Sequence, residues 1–223
     1  MKPTSEEIYA GQSIYTPRIL AFYDFGVLTL SNSFLWRCPT ARLLRHFNQN
    51  VTENHLDIGV GSGFFLDKCN FPAPNPRIGL MDLNPAAIKY NAARICRYNP
   101  EEYIHNIFDP IDFICPKFQS ISLNYLLHCL PGNLADKSII FDHIQSLADP
   151  SAVCFGSTLL GDDISLNWGA RRLMSFYNKN GIFSNSSDNA HNLERELTKR
   201  LDIISFEIVG ATVLFSGRFI KNK

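Results

Sequence analysis

The amino-acid sequence predicts an α/β fold built on a mostly parallel, seven-stranded sheet. First, apolar runs of strand length alternate with stretches of helical periodicity from residue 55 onward, which is typical of repeated βαβ units. Second, three glycines alternate with other residues directly after the first apolar run. Third, a single glycine, Gly210, separates two late strands, whereas parallel neighbours need a much longer crossover. The last pair of strands is therefore expected to be antiparallel.

An aromatic-rich segment precedes the first predicted strand. Residues 1–50 are predicted to be helical, with one or two helices within 14–30 and another over 40–47. Aromatic side chains dominate burial, so most of them are expected to pack, forming a helical lid on the rest of the chain. Tyr15 and Trp36 are the two candidates for lining a substrate pocket.

The remaining elements follow in order from periodicity and turn residues. Runs rich in β-branched and aromatic residues predict strands, and apolar residues three or four apart predict helices. Pro85 starts one helix, and the sequence Pro131-Gly132-Asn133 breaks the chain before another. The predicted strands are 55–58, 77–81, 103–107, 120–127, 152–160, 203–209 and 211–219. The predicted helices are 64–69, 85–98, a helix with Ile140, Ile144 and Leu147, 167–178, and a last helix with Leu193, Leu197 and Leu201, capped by Ser187 or Asp188.

Length and composition bound the class of protein. A chain of 223 residues with 21 basic and 21 acidic side chains fits one domain over 1–223, with a lid at 1–50 and a core at 51–223. Because extended nucleic-acid binding usually needs a basic face, this balance argues against nucleic acid as the partner. The six cysteines are spread singly without zinc spacing, and no apolar run is long enough to span a bilayer. We therefore expect a cytoplasmic protein without a metal centre, whose oligomeric state the sequence leaves open.

The most informative motif is the glycine-rich stretch after the first strand. Gly59, Gly61 and Gly63 alternate with single residues, and bare backbone lets a ligand approach the main chain closely. A dinucleotide-binding loop would need its third glycine one residue later, at the position of Phe64. Asp57, two residues before the first glycine, would repel a pyrophosphate but could bind a cation. The loop therefore favours a nucleoside that carries an ammonium group.

This Asp-x-Gly-x-Gly-x-Gly pattern resembles the first motif of the class I S-adenosylmethionine-dependent methyltransferases. The resemblance covers about residues 50–220. It implies a Rossmann-like fold with a reversed strand near the C-terminus, and S-adenosyl-L-methionine as cofactor. It also implies that Asp82, at the end of the second strand, holds the two ribose hydroxyls, although an acid at this place serves dehydrogenases equally well. Alternatively, Asp82 simply begins a turn before Asn84 and Pro85.

The resemblance implies further cofactor contacts by position. After the third strand, Asn106 matches the residue that bonds the adenine amino group, with asparagine in place of the commoner aspartate, and Ile107 matches an apolar contact to the ring. At the end of the fourth strand, Asn124 and Tyr125 match the backbone that meets the methionine moiety. The cofactor-binding residues expected from the sequence are therefore Asp57, Gly59, Val60, Gly61, Gly63, Asp82, Leu83, Asn106, Ile107, Asn124 and Tyr125.

Methyl transfer needs alignment of the reactants above all, and a base where the acceptor carries a proton. His128 is the candidate base, because it follows the fourth strand at the rim of the sheet, where ligands gather. The alternative for a lone histidine is a structural hydrogen bond. The adjacent Asp162 and Asp163 are expected to be solvated rather than to bind a metal ion.

The sequence favours a small, apolar or aromatic molecule as the methyl acceptor. Neutral charge, the aromatic segment and the late loop 183–188 together suggest a covered pocket. The chain has no Asn-Pro-Pro-Tyr or Asp-Pro-Pro-Tyr run, and no Pro-Cys pair after the fourth strand, so base methylation lacks its markers. Two alternatives stay open: a protein or RNA methyltransferase, and a module that binds the nucleoside without transferring a methyl group.

Overall fold

The computed structural model describes residues 31–220, and one seven-stranded sheet runs through them. The strands are β1 (Asn54–Ile58), β2 (Arg77–Asp82), β3 (Glu101–Ile104), β4 (Phe118–Asn124), β5 (Ala148–Leu159), β6 (Leu201–Val209) and β7 (Thr212–Phe219). Their spatial order is β3-β2-β1-β4-β5-β7-β6. The first five strands are parallel, and β7 runs antiparallel to both of its neighbours. The predicted mostly parallel sheet with a reversed strand near the C-terminus is therefore confirmed.

Helices follow most of the parallel strands along the chain, as the alternation of patterns predicts. Within residues 31–220, no helix combines the length and the apolar character that crossing a bilayer requires. Short 3-10 turns occur at Cys96–Tyr98, Leu127–Cys129 and Gln145–Leu147. The α-helices are α1 (Thr40–Asn50), α2 (Phe64–Lys68), α3 (Pro85–Arg94), α4 (Leu134–Lys137), α5 (Ile139–Ile144), α6 (Trp168–Lys179) and α7 (Ala190–Thr198).

The sheet divides the core into two clusters, because successive side chains of a strand point to opposite faces. On one face, Leu56 and Ile58 of β1 belong to a cluster that includes residues of α5 and α7. On the other face, residues of β2 pack in a cluster with Phe47 of α1 and Ile88 of α3. His55 and Asp57 alternate with the first pair and therefore lie on the second face.

The central strand β1 brings its own polar residues next to those of β4. It pairs in parallel with β2, where Asp57 lies opposite Leu80, and with β4, where Asp57 lies opposite Ser122. His55 lies opposite Ser120 in the same register. Since all of these strands are parallel, their carboxyl ends meet at one edge of the sheet, where the loops that follow β1, β2 and β4 converge.

Two predicted strands extend too far along the chain. The third, predicted over 103–107, ends at Ile104, because the Asn106 side chain forms a turn with the two residues that follow Ile107. The fourth, predicted through residue 127, ends at Asn124 because the chain turns at Tyr125, which has a φ of 55°. In both places apolar residues recur beyond the end of the strand, at Ile107 and at Leu126–Leu127, and periodicity alone does not reveal the turn.

The last helix is shorter than predicted and is capped by a different residue. Leu201 does not belong to it, because the chain has already entered β6 there. The cap is Asn189, whose side chain accepts a hydrogen bond from the N–H of Asn192 at 2.9 Å. The carboxylate of Asp188, one of the two predicted caps, is bonded instead to Lys137.

The described part of the N-terminal segment packs against the sheet. The helix predicted over 40–47 is confirmed and extends to Asn50 as α1, with Leu43 and Phe47 buried. The backbone carbonyl of Trp36 accepts a hydrogen bond from the N–H of Ala211 at 2.8 Å. The helices predicted within 14–30, and with them Tyr15, lie outside the described residues. The division of the chain at residue 50 stays a prediction.

A buried ion pair joins α4 to the loop before α7. Lys137 Nζ donates to Asp188 Oδ2 at 2.7 Å and to the carbonyl of Ser184 at 2.5 Å. The two side chains are 0% and 2% exposed. Burial lowers the pKa of Lys137 and raises that of Asp188, while the mutual attraction opposes both changes.

Replacing Lys137 with methionine is expected to lower the free energy of unfolding by about 3–5 kcal/mol, because the substitution leaves a buried carboxylate without its counter-ion. Denaturant titration measures the change. The double variant Lys137→Met/Asp188→Leu should recover most of the loss, since it removes both charges. A single variant as stable as the unmodified protein would show that the pair contributes nothing to the fold.

Candidate cofactor site

The glycine-rich loop between β1 and α2 has a left-handed backbone at its three alternate positions. Gly59, Gly61 and Gly63 have φ values of 71°, 50° and 71°. A Cβ on Gly59 would meet Leu126 at 2.8 Å, and one on Gly63 would meet Asn91 at 2.0 Å. Among residues 31–220, a Cβ on Gly61 would meet no atom closer than 4.0 Å. The space beside Gly61 is therefore open to a ligand.

Helix α3 holds this loop in position. Asn91 Nδ2 donates to the carbonyl of Gly61 at 2.8 Å and to that of Ala87 at 3.1 Å. Arg94 Nη1 donates to the carbonyl of Ser62 at 2.8 Å. Two side chains from outside the glycine motif thus fix the loop in the shape that a ligand would meet.

Two adjoining clefts share Gly59, Gly61 and Tyr125 in their walls. Counted together with the solvent-filled space at their mouths, the larger measures about 810 Å³ and the smaller about 490 Å³. Every cofactor-binding residue predicted from the sequence lines at least one of them. The larger cleft is lined by Gly59, Gly61, Asp82, Leu83, Asn106, Ile107 and Tyr125, among others. The smaller cleft is lined by Asp57, Gly59, Val60, Gly61, Gly63, Asn124 and Tyr125, among others.

Asp57 is the buried acid of the smaller cleft. Its side chain accepts a hydrogen bond from the hydroxyl of Ser122, and the residue is only 7% exposed. Burial is the main cause that raises the pKa of Asp57 to about 7; the Ser122 bond opposes the rise, and the charge of Asp82 adds to it. A cation bound beside Asp57 would favour its ionised form.

Asp82 ends β2 and lines the larger cleft. Its Oδ1 accepts a hydrogen bond from the N–H of Asn84 at 2.8 Å, so the residue does begin a turn. Burial raises its pKa to about 6, against the effect of the backbone N–H groups that it accepts from. Because the side chain also lines the cleft, the turn is compatible with a role in holding ribose hydroxyls.

Asn106 and Ile107 lie together in the wall of the larger cleft. Asn106 Oδ1 accepts from the N–H of Phe108 at 3.2 Å, and its Nδ2 donates to Asp109 Oδ2 at 2.9 Å. An amide oxygen has two lone pairs, so one acceptor position remains for an amino group. These bonds fix the direction of the side chain before any ligand arrives.

The end of β4 supplies a buried donor and a strained turn. Asn124 Oδ1 accepts from the hydroxyl of Ser157 at 3.1 Å, whereas Asn124 Nδ2 is buried and has no hydrogen-bond partner within residues 31–220. A buried polar group without a partner is costly, and a bound ligand can supply the missing acceptor. Tyr125 has a positive φ, uncommon for a residue with a side chain, and its hydroxyl donates to Asn32 Oδ1 at 3.0 Å.

His128 is buried and does not belong to the lining of either cleft. Its Nδ1 accepts a hydrogen bond from the N–H of Leu159 at 3.2 Å, so the neutral ring carries its proton on Nε2. Burial, together with the charge of Lys137, lowers its pKa to about 3. The lone pair of Nδ1 is already bonded to the N–H of Leu159, and Nε2 carries the proton. The neutral ring therefore has no free lone pair with which to accept a proton from a substrate. These surroundings match the structural alternative, and the catalytic role stays a prediction.

The variant His128→Asn separates the two roles. An asparagine oxygen can replace Nδ1 as the acceptor for Leu159, so a structural role predicts turnover within about threefold of the unmodified rate, whereas loss of a general base costs about 10²–10⁴-fold. His128→Leu, which removes the acceptor, should lower the melting temperature. Turnover measured for both variants, with the acceptor molecule found as described below, decides between the roles. A large loss of rate in His128→Asn at unchanged cofactor affinity would restore the base.

The predicted substrate-binding residues fall in different places. Trp36 is 2% exposed and packs in a cluster with Leu159, Met174 and Ala211. It does not line either cleft, and its role in substrate binding stays a prediction. Tyr15 lies outside the described residues.

Sequence reasoning missed several residues that shape the site. Leu126, Cys129, Leu130 and Pro131 form an apolar wall of the larger cleft. Their position in the cleft wall follows from the end of β4 at Asn124. The sequence does not show that end, because apolar residues continue beyond it. Ser122, the hydrogen-bond partner of Asp57, could have been found, because Ser120 and Ser122 alternate within the predicted fourth strand.

The fold and the site define a Rossmann-like protein that binds a nucleoside with a cationic tail. The open cradle at Gly61 and the buried carboxylates Asp57 and Asp82 suit such a ligand, and the unpartnered amide of Asn124 supports a ligand at this edge. S-Adenosylmethionine carries an adenosine, a sulfonium and an α-ammonium group. The residues present therefore fit this cofactor.

Comparisons with known proteins agree. No protein-family model matches the chain. The "Physcion biosynthesis cluster O-methyltransferase" of Aspergillus chevalieri is 34% identical over 209 residues, covering 93% of this chain and 94% of that protein. The "Demethylluteothin O-methyltransferase" of Streptomyces thioluteus is 32% identical over 194 residues, covering 87% and 84%. The N-methyltransferase NodS from Bradyrhizobium japonicum WM9, solved with S-adenosyl-l-homocysteine, has the same fold with a TM-score of 0.60 at 15% identity, covering 92% of this chain and 98% of its own.

The chain belongs to the class I S-adenosylmethionine-dependent methyltransferases. It is thus an enzyme, and S-adenosyl-L-methionine is its cofactor.

Proposed function

We propose that this enzyme transfers a methyl group to a small, apolar or aromatic molecule. The observation that carries the proposal is the similarity, over most of both chains, to two O-methyltransferases named for the physcion biosynthesis cluster and for demethylluteothin. The apolar wall formed by Leu126, Cys129, Leu130 and Pro131 supports it, because an apolar acceptor gains most from burial against such a surface.

The eleven predicted cofactor residues are proposed to bind one part of the cofactor in each cleft. In the larger cleft, Asp82 and Leu83 would meet the ribose, and Asn106 and Ile107 the adenine, which places donors and acceptors opposite their complements. In the smaller cleft, the Asp57 carboxylate would attract the methionine ammonium group. The backbone of the glycine loop, with Val60 between Gly59 and Gly61, would pass under the methionine moiety.

The remaining contacts are at the end of β4. The unpartnered Nδ2 of Asn124 would donate to an acceptor of the ligand, and Tyr125 would separate the two clefts. Bound there, S-adenosylmethionine supplies an electrophilic methyl group on a sulfonium leaving group. The protein's own part is to align the acceptor with that group and to exclude water, which together supply several kcal/mol of the rate enhancement, up to about 7–11 kcal/mol in model reactions.

A comparison of ligands by thermal shift tests the cofactor assignment. S-Adenosylmethionine and S-adenosylhomocysteine should raise the melting temperature, and NAD should not, because selective binding to the folded state stabilises it. Cofactor binding would then be followed by incubation with a library of phenols, enols, carboxylic acids and amines. Mass spectrometry detects a methylated product.

The outcomes also separate the open alternatives. Methylation of one chemical class of small molecule supports the proposal. Cofactor binding without turnover on any member would favour the binding module. Activity on a protein or RNA that falls steeply with added salt would contradict the proposal in favour of a charged macromolecular acceptor.

A further inference from the structure

A continuous chain of hydrogen bonds runs from the start of β1 to the cofactor site. The N–H of Thr52 donates to Ser120 Oγ at 3.0 Å, and the two hydroxyl oxygens are 2.9 Å apart. Ser120 Oγ is 2.8 Å from His55 Nδ1, and His55 Nε2 is 3.1 Å from Ser122 Oγ. Ser122 in turn contacts Asp57 Oδ1. One imidazole therefore connects both serines of β4 to the acid of the smaller cleft.

The middle of this chain is sealed from water. His55, Ser120 and Ser122 are all 0% exposed. The imidazole lies among aromatic rings, with centroid distances of 5.4 Å to Phe47 and 5.7 Å to Phe155. Burial lowers the pKa of His55 to about 3, so the ring is neutral at ordinary pH. A neutral imidazole has one donor and one acceptor nitrogen, and here both nitrogens have hydroxyl partners.

The hydrogen bonds from Thr52 to Asp57 can be directed in two complete patterns, which differ in the charge of Asp57. With the carboxylate ionised, Ser122 must donate to Asp57, so Ser122 accepts from His55 Nε2–H, and Nδ1 accepts from Ser120. With the carboxyl protonated, its O–H can donate to Ser122, which then donates to Nε2, while Nδ1–H donates to Ser120. In the second pattern Ser120 donates to Thr52 Oγ1, whose own hydroxyl is 3.1 Å from the carbonyl of Asn54. Each pattern satisfies every hydroxyl.

We propose that His55 is a positioning residue for the cofactor site, and that its tautomer changes with the charge of Asp57. With Nε2 protonated, His55 directs the Ser122 hydroxyl toward Asp57, where it stabilises the carboxylate that the cofactor ammonium group needs. When the cofactor binds, the carboxyl proton of Asp57 leaves to solvent and the Nε2–H tautomer is selected. The inference rests on the proposed contact between Asp57 and the ammonium group.

Within residues 31–220, two other titratable groups interact with the charge of Asp57. Asp82 on β2 raises its pKa through charge repulsion, and the buried thiol of Cys69, which follows α2, interacts with its charge. Burial raises the pKa of Cys69 to about 12, so the thiol stays neutral across the range in which Asp57 titrates. In the same part of the chain, His55 is linked to Asp57 through Ser122.

The test reads the His55 tautomer directly in the intact protein labelled with ¹⁵N-histidine. Two-dimensional ¹⁵N–¹H spectra show which ring nitrogen carries the proton, and the His55→Gln variant assigns the signal. Without ligand, the Nε2–H form of His55 should grow as the pH rises from about 5.5 to 8.5, as Asp57 ionises. Adding S-adenosylhomocysteine at the acidic end should produce the same change at constant pH.

Two buried histidines serve as internal controls. His46 Nε2 is fixed as a donor by the carbonyl of Phe215 at 3.0 Å, and His128 Nδ1 is fixed as an acceptor by the N–H of Leu159. Both should keep a proton on Nε2 between pH 5.5 and 8.5, with and without ligand. A His55 tautomer that is constant over the same range would overturn the proposal.

Variants test the coupling. Ser122→Ala should remove the response of His55 to pH and weaken binding of S-adenosylhomocysteine at neutral pH by about tenfold, the effect of a buried hydrogen bond to a charged group. Asp57→Asn should also hold His55 in one tautomer. Ser216→Ala, which removes a buried hydroxyl from β7, should change neither property. A Ser122→Ala protein with unmodified affinity and an unmodified His55 response would contradict the coupling.

The outcomes distinguish this inference from the proposed function. If S-adenosylhomocysteine does not bind, the proposed cofactor contacts fail, and the ligand-free titration still decides whether His55 follows Asp57. If it binds while His55 keeps one tautomer throughout, the proposed function stands and the positioning role is wrong.

Discussion

Replacing Gly61 with alanine is expected to weaken binding of S-adenosylmethionine by about 100-fold or more, equivalent to at least about 2.7 kcal/mol. The added methyl group would meet no atom of residues 31–220 closer than 4.0 Å, so it would project into space that the two clefts share. In that space the methyl group would collide with the ligand and not with a side chain of the described residues. Isothermal titration calorimetry with S-adenosylhomocysteine measures the loss.

The matched control for this variant is Gly181→Ala. Gly181 also has a positive φ, 68° against 50° for Gly61, but it lies in the loop after α6 and does not line either cleft. Both variants should lose a similar amount of stability, about 1 kcal/mol, because alanine is strained at positive φ. Only Gly61→Ala should lose affinity. Equal affinities for the two variants would mean that the cofactor does not contact the glycine loop at Gly61.

This glycine loop was predictable because its chemistry is local. Three residues without side chains at alternate positions, preceded by Asp57, require neither partner strands nor register to be recognised. The succession of strands and helices along the chain was also predictable, from the periodicity of apolar residues. Gly210 alone predicted the antiparallel end of the sheet, because a link of that length cannot join parallel neighbours.

The ends of β3 and β4 were not predictable in the same way. Apolar residues continue through Ile107 and Leu127, so periodicity extends both strands beyond the turns at Asn106 and Tyr125. The position of His128 depends on that turn. If β4 continued to Leu127, His128 would lie at the rim of the sheet. Instead His128 lies in a 3-10 turn after Tyr125, and its Nδ1 accepts a hydrogen bond from the backbone of β5.

Partners across strands needed the three-dimensional structure. The sequence separates Asp57 from Ser122 by 65 positions, and only the register of β1 against β4 places them side by side. The same holds for Asn91 and Arg94, which hold the glycine loop from α3. Local patterns predict the part of the site made of backbone, whereas its polar support comes from residues distant in sequence.

Two buried carboxyl groups at the cofactor site titrate near neutral pH. The pKa values of Asp57 and Asp82 in the folded protein are about 7 and about 6, both raised above the ordinary value of 3.8, chiefly by burial. For an acid whose folded pKa is raised, the folded state binds the proton more tightly than the unfolded chain does. Its contribution to stability is therefore complete below about pH 4 and is lost as the pH rises through 6 to 7. The buried histidines His55 and His128, whose pKa values are lowered to about 3, contribute in the opposite direction below pH 6.5. The loss due to Asp57 is therefore measured as the difference in stability between the unmodified protein and Asp57→Asn over this range.

Cofactor affinity should increase as the pH rises, whereas the contribution of these two carboxyl groups to stability decreases. The ammonium group needs an ionised carboxylate beside it, so binding below pH 7 must first remove a proton from Asp57. We expect the dissociation constant of S-adenosylhomocysteine to rise about tenfold for each pH unit below 7, or about 30-fold between pH 7.5 and 5.5 from Asp57 alone. This range lies below the pH at which an α-amino group loses its own proton.

The variant Asp57→Asn isolates the source of this dependence. Its amide cannot ionise, so binding at pH 7.5 should be weak, and the slope below pH 7 should be much smaller, with only the effect of Asp82 remaining. Calorimetry in buffers of different ionisation enthalpy counts the protons released on binding. We expect up to about one proton from Asp57 in the unmodified protein near pH 6, and correspondingly fewer in the variant. A dissociation constant that does not change with pH in the unmodified protein would show that the ligand does not depend on an ionised Asp57, and the ammonium contact would have to be abandoned.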